Sequence, residues 1–216
     1  KCGLCKQDYH GVVACALGWA CWKTYLGLPE TDQGRGAAMN VLAGGLHKAE
    51  HNEDALSVQE AELAMARRLG ASEKYLLCMQ GNLANMYQVQ GRLEEAAQMD
   101  RDVYSGWLKL KGEEHEDTLH AAQNYALSLA KLQRFEECKA LLRKTMPVAR
   151  RVLGEGSRLT LKMRALYAQS LYADKGATLD DLREAVTALE NAGRIAQRVF
   201  GGTHPLTVDI GHDVRG

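Results

Sequence analysis

The residues best placed for chemistry stand at the start of the chain, in KCGLCKQDYH. Cys2 and Cys5 form a C-x-x-C pair, and two thiolates at this spacing can grip one zinc ion from a tight turn. That is half a tetrahedral site, and His10, Cys15 and Cys21 are the nearby candidates for the other half, because no second C-x-x-C follows. The competing reading makes Cys2 and Cys5 plain thiols, with Cys15 and Cys21 as small core residues. The expectation is no cofactor held by this chain alone, and zinc through Cys2 and Cys5 only in a longer one. His47 and His51 are four apart, a metal-compatible spacing on one helical face. No acidic third ligand has a matching position, so they read as a solvated face. A nucleophile elbow, a phosphate loop, an H-E-x-x-H motif and a dinucleotide fingerprint are all absent from the sequence. The acidic pairs at 94–95 and 180–181 fall at helix starts, and GEEH at 112–115 falls in a connector. The chain is therefore not expected to be an enzyme.

Bulk composition narrows the classes further. Lys plus Arg and Asp plus Glu both total 27 in 216 residues, so the formal net charge is zero. Nucleic acid, whose phosphates demand a basic surface, is not an expected partner, and neither is a strongly anionic membrane. No apolar run reaches the length of a membrane-crossing helix, so no span is expected. Only three prolines and two phenylalanines occur among abundant Ala, Leu and Glu, which favours helix over strand. Six unevenly spaced cysteines do not resemble a secreted disulfide framework, so the expected compartment is reducing and cytoplasmic. The chain opens on Lys1 with no signal peptide in view, which reads as a piece of a longer or processed protein.

The elements that would position any site repeat. Ala84, Ala126 and Ala168 are spaced 42 and 42 residues apart, and Gly112 and Gly154 are also 42 apart. A helix–turn–helix unit at such a period marks an α-solenoid. Leu42, Ala43 and Ala55 match Leu83, Ala84 and Ala96 at an offset of 41, and Cys138 takes the slot of Ala96 in the next repeat. Small residues there let the two helices of a hairpin approach closely. Ala185 and Gly201 lie 47 beyond Cys138 and Gly154, so the fourth repeat carries about five extra residues, placed in the turn at 173–181. Thr178 or Asp180 suits the cap of the helix that follows. Pro147 falls inside a second helix, where a kink is expected. Pro205 suits the first turn of a last helix, which Gly211 and the chain end would cut short. GVVACALGWACWKTYLG at 11–27 carries an apolar stripe through Val12, Cys15, Ala16, Trp19, Ala20, Trp22 and Leu26. Its WKTYLG echoes WLKLKG at 107–112, as the second half of a degenerate repeat would. Four second helices end basic and then Gly, which the helix dipole and the glycine cap explain. The expected fold is all-α: a right-handed α-solenoid of about four stacked helix–turn–helix repeats of about 42 residues, preceded by a half-repeat helix. The domain reading is a Cys-rich remnant at 1–10, a helix and turn at 11–34, and the repeats at 35–216.

Two resemblances add to this. The run N-L-A-N-M-Y-x3-G-R-L-E-E-A at 82–96 resembles the tetratricopeptide repeat. The period of 42 with a G-x-x-H-P-x-T connector looks like the kinesin light chain subclass. GGTHPLT at 201–207 matches that connector fully, GEEHEDT at 112–118 lacks the Pro, and GEGSRLT at 154–160 lacks both His and Pro. The heptad coiled coil of kinesin light chains is absent, which places transport outside the expectation. Separately, KCGLCKQDYHGVV looks like the closing end of a RING-CH (variant RING) zinc finger. That likeness implies Cys2 and Cys5 as the last two ligands of a two-zinc module, and makes this chain the substrate-recruiting arm of a ubiquitin ligase.

By the tetratricopeptide resemblance, the first helices line a concave groove that holds a peptide or partner segment, and the chain is a non-catalytic scaffold. The groove-facing positions it implies are Gly44, His47 and Lys48 in repeat one, Asn82, Asn85, Gln88 and Val89 in repeat two, Asn124, Leu127, Ala130 and Lys131 in repeat three, and Leu166, Gln169 and Tyr172 in repeat four. An Asn amide can pair with a peptide backbone as donor and acceptor at once. The alternative is that Asn82 and Asn124 bond within their own hairpins. Solenoid ends lacking polar caps self-associate, which leaves weak dimerisation open.

Overall fold

The period of 42 resolves into helical hairpins built from the small residues that mark it. The computed structural model describes residues 10–213, and ten helices and no strand occur among them. They are α1 (Gly11–Tyr25), α2 (Gln33–Lys48), α3 (Asn52–Arg68), α4 (Glu73–Val89), α5 (Leu93–Lys111), α6 (Glu116–Lys131), α7 (Phe135–Leu153), α8 (Arg158–Tyr172), α9 (Leu179–Phe200) and α10 (Pro205–Asp213). The chain forms two compact units, one up to Met99 and one from Asp100.

In the first unit Ala55, Ala84 and Ala96 are wholly buried, and in the second so are Ala126, Cys138 and Ala168. These are the positions that the period singled out. Around them Leu42, Leu46, Leu63 and Leu83 fill the first core, and Leu129, Leu142, Leu161 and Leu171 fill the second. Cys138 packs there as a thiol: its Sγ lies 3.2 Å from the Ala126 carbonyl and accepts from Ser170 Oγ at 3.1 Å.

The tight turns share one geometry although their residues differ. Gly91 has φ +76°, and the amide of Arg92 reaches back to the Tyr87 carbonyl at 2.9 Å. Glu50 and Gln133 occupy the same left-handed position, at φ +66° and +59°. There the amides of His51 and Arg134 close the matching bonds to Leu46 and Leu129. This is the αL cap that glycine adopts most easily, and only the second hairpin spells it with glycine. Breaking α2 at this turn also separates His47 from His51. His47 stays on α2 and its Nδ1 contacts Asn52 Oδ1 at 2.8 Å, while His51 is the residue before α3. The shared helical face expected for these two histidines does not exist, and no group of three metal-ligating side chains occurs among the described residues.

The connector histidines are caps. His115 Nδ1 accepts from the Asp117 amide, and His204 Nδ1 accepts from the Leu206 amide, both at 3.2 Å. Ser157 replaces histidine in the connector between them and accepts from the Thr160 amide at 3.1 Å. Arg68 and Arg151, at the ends of second helices, each pair with the connector before their own hairpin. Arg68 takes Glu30 at 2.8 Å and Arg151 takes Glu114 at 2.6 Å.

Three expectations need correction. The first concerns α1. Val12, Trp19 and Leu26 are exposed, Val12 by 82%, and the buried residues are Ala14 and Gly18. A Cβ on Gly45 of α2 would lie 2.5 Å from the Ala14 carbonyl oxygen, and one on Gly18 would lie 3.0 Å from the Leu42 Cα. Backbone meets backbone here, so the contact face is set by missing side chains and not by the apolar stripe. Cys15 and Trp22 do pack against the first core. The second correction is the insertion in the fourth hairpin. The turn at 173–178 is six residues long against three at 132–134, and α9 is longer too, with 22 residues against 19 in α7. The extra chain is thus shared between turn and helix. Thr178 caps α9 in a reciprocal box with Asp181, while Asp180 pairs with Arg183. The third is that α10, which opens at Pro205 as expected, runs through Gly211 to Asp213.

Candidate interaction surfaces

The expected groove residues lie on first helices, and each unit presents its own set. In the first unit Asn82 and Asn85 stand three apart on α4, both exposed. Three residues along a helix keeps two side chains on one face. Gln88 does not join them: it is 8% exposed, within the buried face of α4 beside Tyr87. In the second unit α6 and α8 pack against each other. Asn124, Leu127 and Lys131 follow each other down one face of α6; Asn124 and Leu127 are half-buried and Lys131 is exposed. Leu127 leans on the core, as an apolar wall and not a free anchor. Gln169 and Tyr172 on α8 are exposed, Tyr172 by 38%. None of the hydrogen bonds among the described residues engages the side-chain amide of Asn82, Asn85 or Asn124. The alternative in which Asn82 and Asn124 bond within their own hairpins is therefore not what the structure holds.

Two polar devices were not legible from the sequence. Glu62 on α3 is 1% exposed, and its Oε1 accepts from the Tyr75 hydroxyl on α4 at 2.8 Å. Its second oxygen has no hydrogen-bond partner. Burial raises the Glu62 carboxyl above its ordinary range, and burial followed by the Glu62 contact pushes the Tyr75 phenol up to about 12. In the second unit Arg143 Nε on α7 donates to the Tyr167 hydroxyl on α8 at 3.0 Å, and that hydroxyl donates to Glu184 on α9 at 2.9 Å. Each of these sets is spread over separate helices, so no local spacing announces it.

The Glu62 site carries a stability prediction. Tyr75→Phe leaves a buried carboxylate with no donor and is expected to destabilise the first unit by about 2 kcal/mol. The folded state holds the Glu62 proton at pH values where the unfolded chain has released it. Stability contributed by the protonated form is present below the unfolded pKa and lost as pH rises through the folded one. Glu62→Gln should gain on the parent chain at neutral pH and lose that advantage below about pH 4. Urea titrations at both pH values check this, and an equal advantage at each would refute it.

Residues 79–117 and 118–158 each match the family model of the tetratricopeptide repeat. These two segments are tetratricopeptide repeats. They cover the hairpin of α4 and α5 and the hairpin of α6 and α7, and the expected Asn82, Asn85, Asn124, Leu127 and Lys131 all fall inside them. The repeat fold extends through solved structures that resemble nearly the whole chain. BtubC (BKLC) from P. vanneervenii aligns with a TM-score of 0.74 and 19% identity, over 96% of this chain and 87% of that one. A putative kinesin light chain from Podosopora anserina, with nearly identical TPR-like repeats, aligns with a TM-score of 0.71 and 19% identity over 84% of each chain. At that identity the likeness is one of fold. No curated protein matches the chain in sequence. The family match lies outside residues 1–10, and Cys2 and Cys5 lie outside the described residues, so the RING-CH resemblance gains no support from either source. No helix among the described residues is long and apolar enough to cross a membrane.

Proposed function

We propose that the chain is a non-catalytic scaffold that binds an extended peptide or partner segment on the first-helix faces of its tetratricopeptide repeats. The carrying observation is that each unit has Asn amides on its own first helix, Asn82 and Asn85 on α4 and Asn124 on α6, that no hydrogen bond among the described residues engages. A bare amide on a repeat's first helix offers a peptide backbone a donor and an acceptor at once. Lys131 adds a positive charge below Asn124 on α6, and Gln169 and Tyr172 add a polar and an aromatic contact on α8. Exposed tyrosine supplies a large, stiff surface of the kind that anchors binding. Cys15, Cys21 and Cys138 are free thiols, which supports a reducing, cytoplasmic setting for this role.

Peptides selected by display against the chain supply the probe. Asn85→Ala should weaken the peptides that the first unit holds, and Asn124→Ala those that the second holds, each about threefold, the effect of one lost hydrogen bond, with helix content by circular dichroism unchanged. Fluorescence anisotropy reads the affinity. Equal binding by parent and variant would move the peptide off these faces.

A further inference from the structure

A second surface lies in the second unit, on the side of the second helices. Two adjoining hollows of about 390 and 350 Å³ open between α7 and α9, with α8 as their floor. They share Met146, Arg164 and Tyr167, so they form one trough. Arg164 and Tyr167 sit five residues before Gln169 and Tyr172, roughly 140° around α8 from them. The trough is thus separate from the first-helix face proposed above.

We propose that this trough binds an acidic peptide segment, taking a carboxylate against Arg150 and Arg164 and a neighbouring apolar side chain against Met146 and Ile195. The charge supports that occupant. Three arginines, Arg143, Arg150 and Arg164, line the trough against two glutamates, Glu155 and Glu184. Glu184 is engaged by the Tyr167 hydroxyl, and Arg143 gives its Nε to the same hydroxyl. Glu136, which also faces Arg143, is drawn off by Lys139. That leaves Arg150 and Arg164 sharing one carboxylate, Glu155, at 3.8 and 3.5 Å. Both distances exceed those of a charge-assisted hydrogen bond, which runs near 2.8 Å. Each guanidinium is a planar fork of five donors suited to a carboxylate, and here both forks are loosely held. Arg164 is the stronger anchor because its side chain is only 20% exposed, so water screens it less.

The apolar wall and the backbone fit the same ligand. Met146 and Ile195 line the hollow beside Arg164. Pro147 lines the other hollow and has no N–H, so the Arg143 carbonyl lacks its usual helical donor. An extended ligand's amide can supply one at that wall. Glu155 then acts as a resident competitor: a carboxylate on the ligand displaces it from the two arginines.

The test uses a fluorescein-labelled decapeptide of alternating Glu and Leu, beside the same peptide with Gln for Glu. The Glu peptide is expected to bind the full chain saturably by anisotropy, and the Gln peptide at least about tenfold more weakly. Arg164→Gln should weaken the Glu peptide about tenfold. Glu155→Gln should tighten it several-fold, a gain that misfolding cannot mimic. Asn85→Ala with Asn124→Ala should leave this binding unchanged, which separates the trough from the first-helix faces. The proposal is overturned by no binding of the Glu peptide, by equal binding of the Gln peptide, by an unaltered Arg164→Gln affinity, or by weaker binding after Glu155→Gln. Loss of binding only in the Asn variant would overturn it as well, by assigning the peptide to the other face.

Discussion

Leu142→Ala is expected to destabilise the second unit by about 3 kcal/mol, within the usual range for emptying a buried leucine site. Leu142 is wholly buried at the centre of α7, in one core with Ala126, Leu129, Leu161 and Ala168. Those neighbours hang from two helices, α6 and α8. Two of them are alanines, whose short side chains cannot swing into the space. The removed methyl groups therefore leave a cavity that the surroundings close only in part, and cavity and transfer losses add. Urea unfolding followed through Trp107, buried in the same unit, gives the number. A loss below about 1 kcal/mol would show that α7 shifts to fill the gap. Leu182→Ala on α9 is the control, since Leu182 is exposed and should change stability by under about 0.5 kcal/mol.

Gly45→Leu should release α1 from the first unit. Even a single Cβ at Gly45 would sit 2.5 Å from the Ala14 carbonyl oxygen, well inside van der Waals contact. The obstacle is backbone, so no side-chain rotation relieves it, and the helices must separate along the seam that Gly18 and Gly45 share. Overpacking a tight core costs about 1–3 kcal/mol; a leucine pressed on backbone belongs at the upper end or beyond. Trp22 reports the event directly. It packs against the first core, with the Arg35 guanidinium 5.5 Å from its ring. Its emission should shift red, and proteolysis should begin within residues 11–25, while Trp107 emission stays as it was. An unchanged Trp22 spectrum with intact protease resistance would mean that α1 docks by a different face.

The same seam explains why the repeats were legible and α1 was not. The four hairpins announce themselves because each needs a small residue where its helices cross, and Ala84, Ala126 and Ala168 recur at a fixed interval. At α1 the close approach is made by Gly18 and Gly45, residues without side chains. Hydropathy has nothing to register there, and of the large residues that it does register, Val12, Trp19 and Leu26 face outward while Trp22 packs inward. The turn geometry was likewise half-hidden. Gly91 signals a left-handed residue, but Glu50 and Gln133 adopt the same conformation without showing it. Among the candidate site residues, the family resemblance put Asn82 with Asn85 and Asn124 with Lys131, and each pair does share one helix. It misjudged Gln88, whose position relative to the buried stripe of α4 depends on tertiary packing. Glu62 with Tyr75, and Arg143 with Tyr167 and Glu184, are assembled from different helices. Only a fold can bring such partners together, so no motif search reaches them.

Cys138 gives the molecule a clock. Its thiol is sealed among Ala126, Ser170 and the α7–α8 contact, and burial pushes its pKa up, so an alkylating reagent meets no thiolate in the closed state. Cys78, exposed on α4, answers the same reagent from the surface. The lag between the two modifications in mass spectra therefore counts how often the second unit opens. It can be timed on the natural chain, without a dye, a tag or a denaturant.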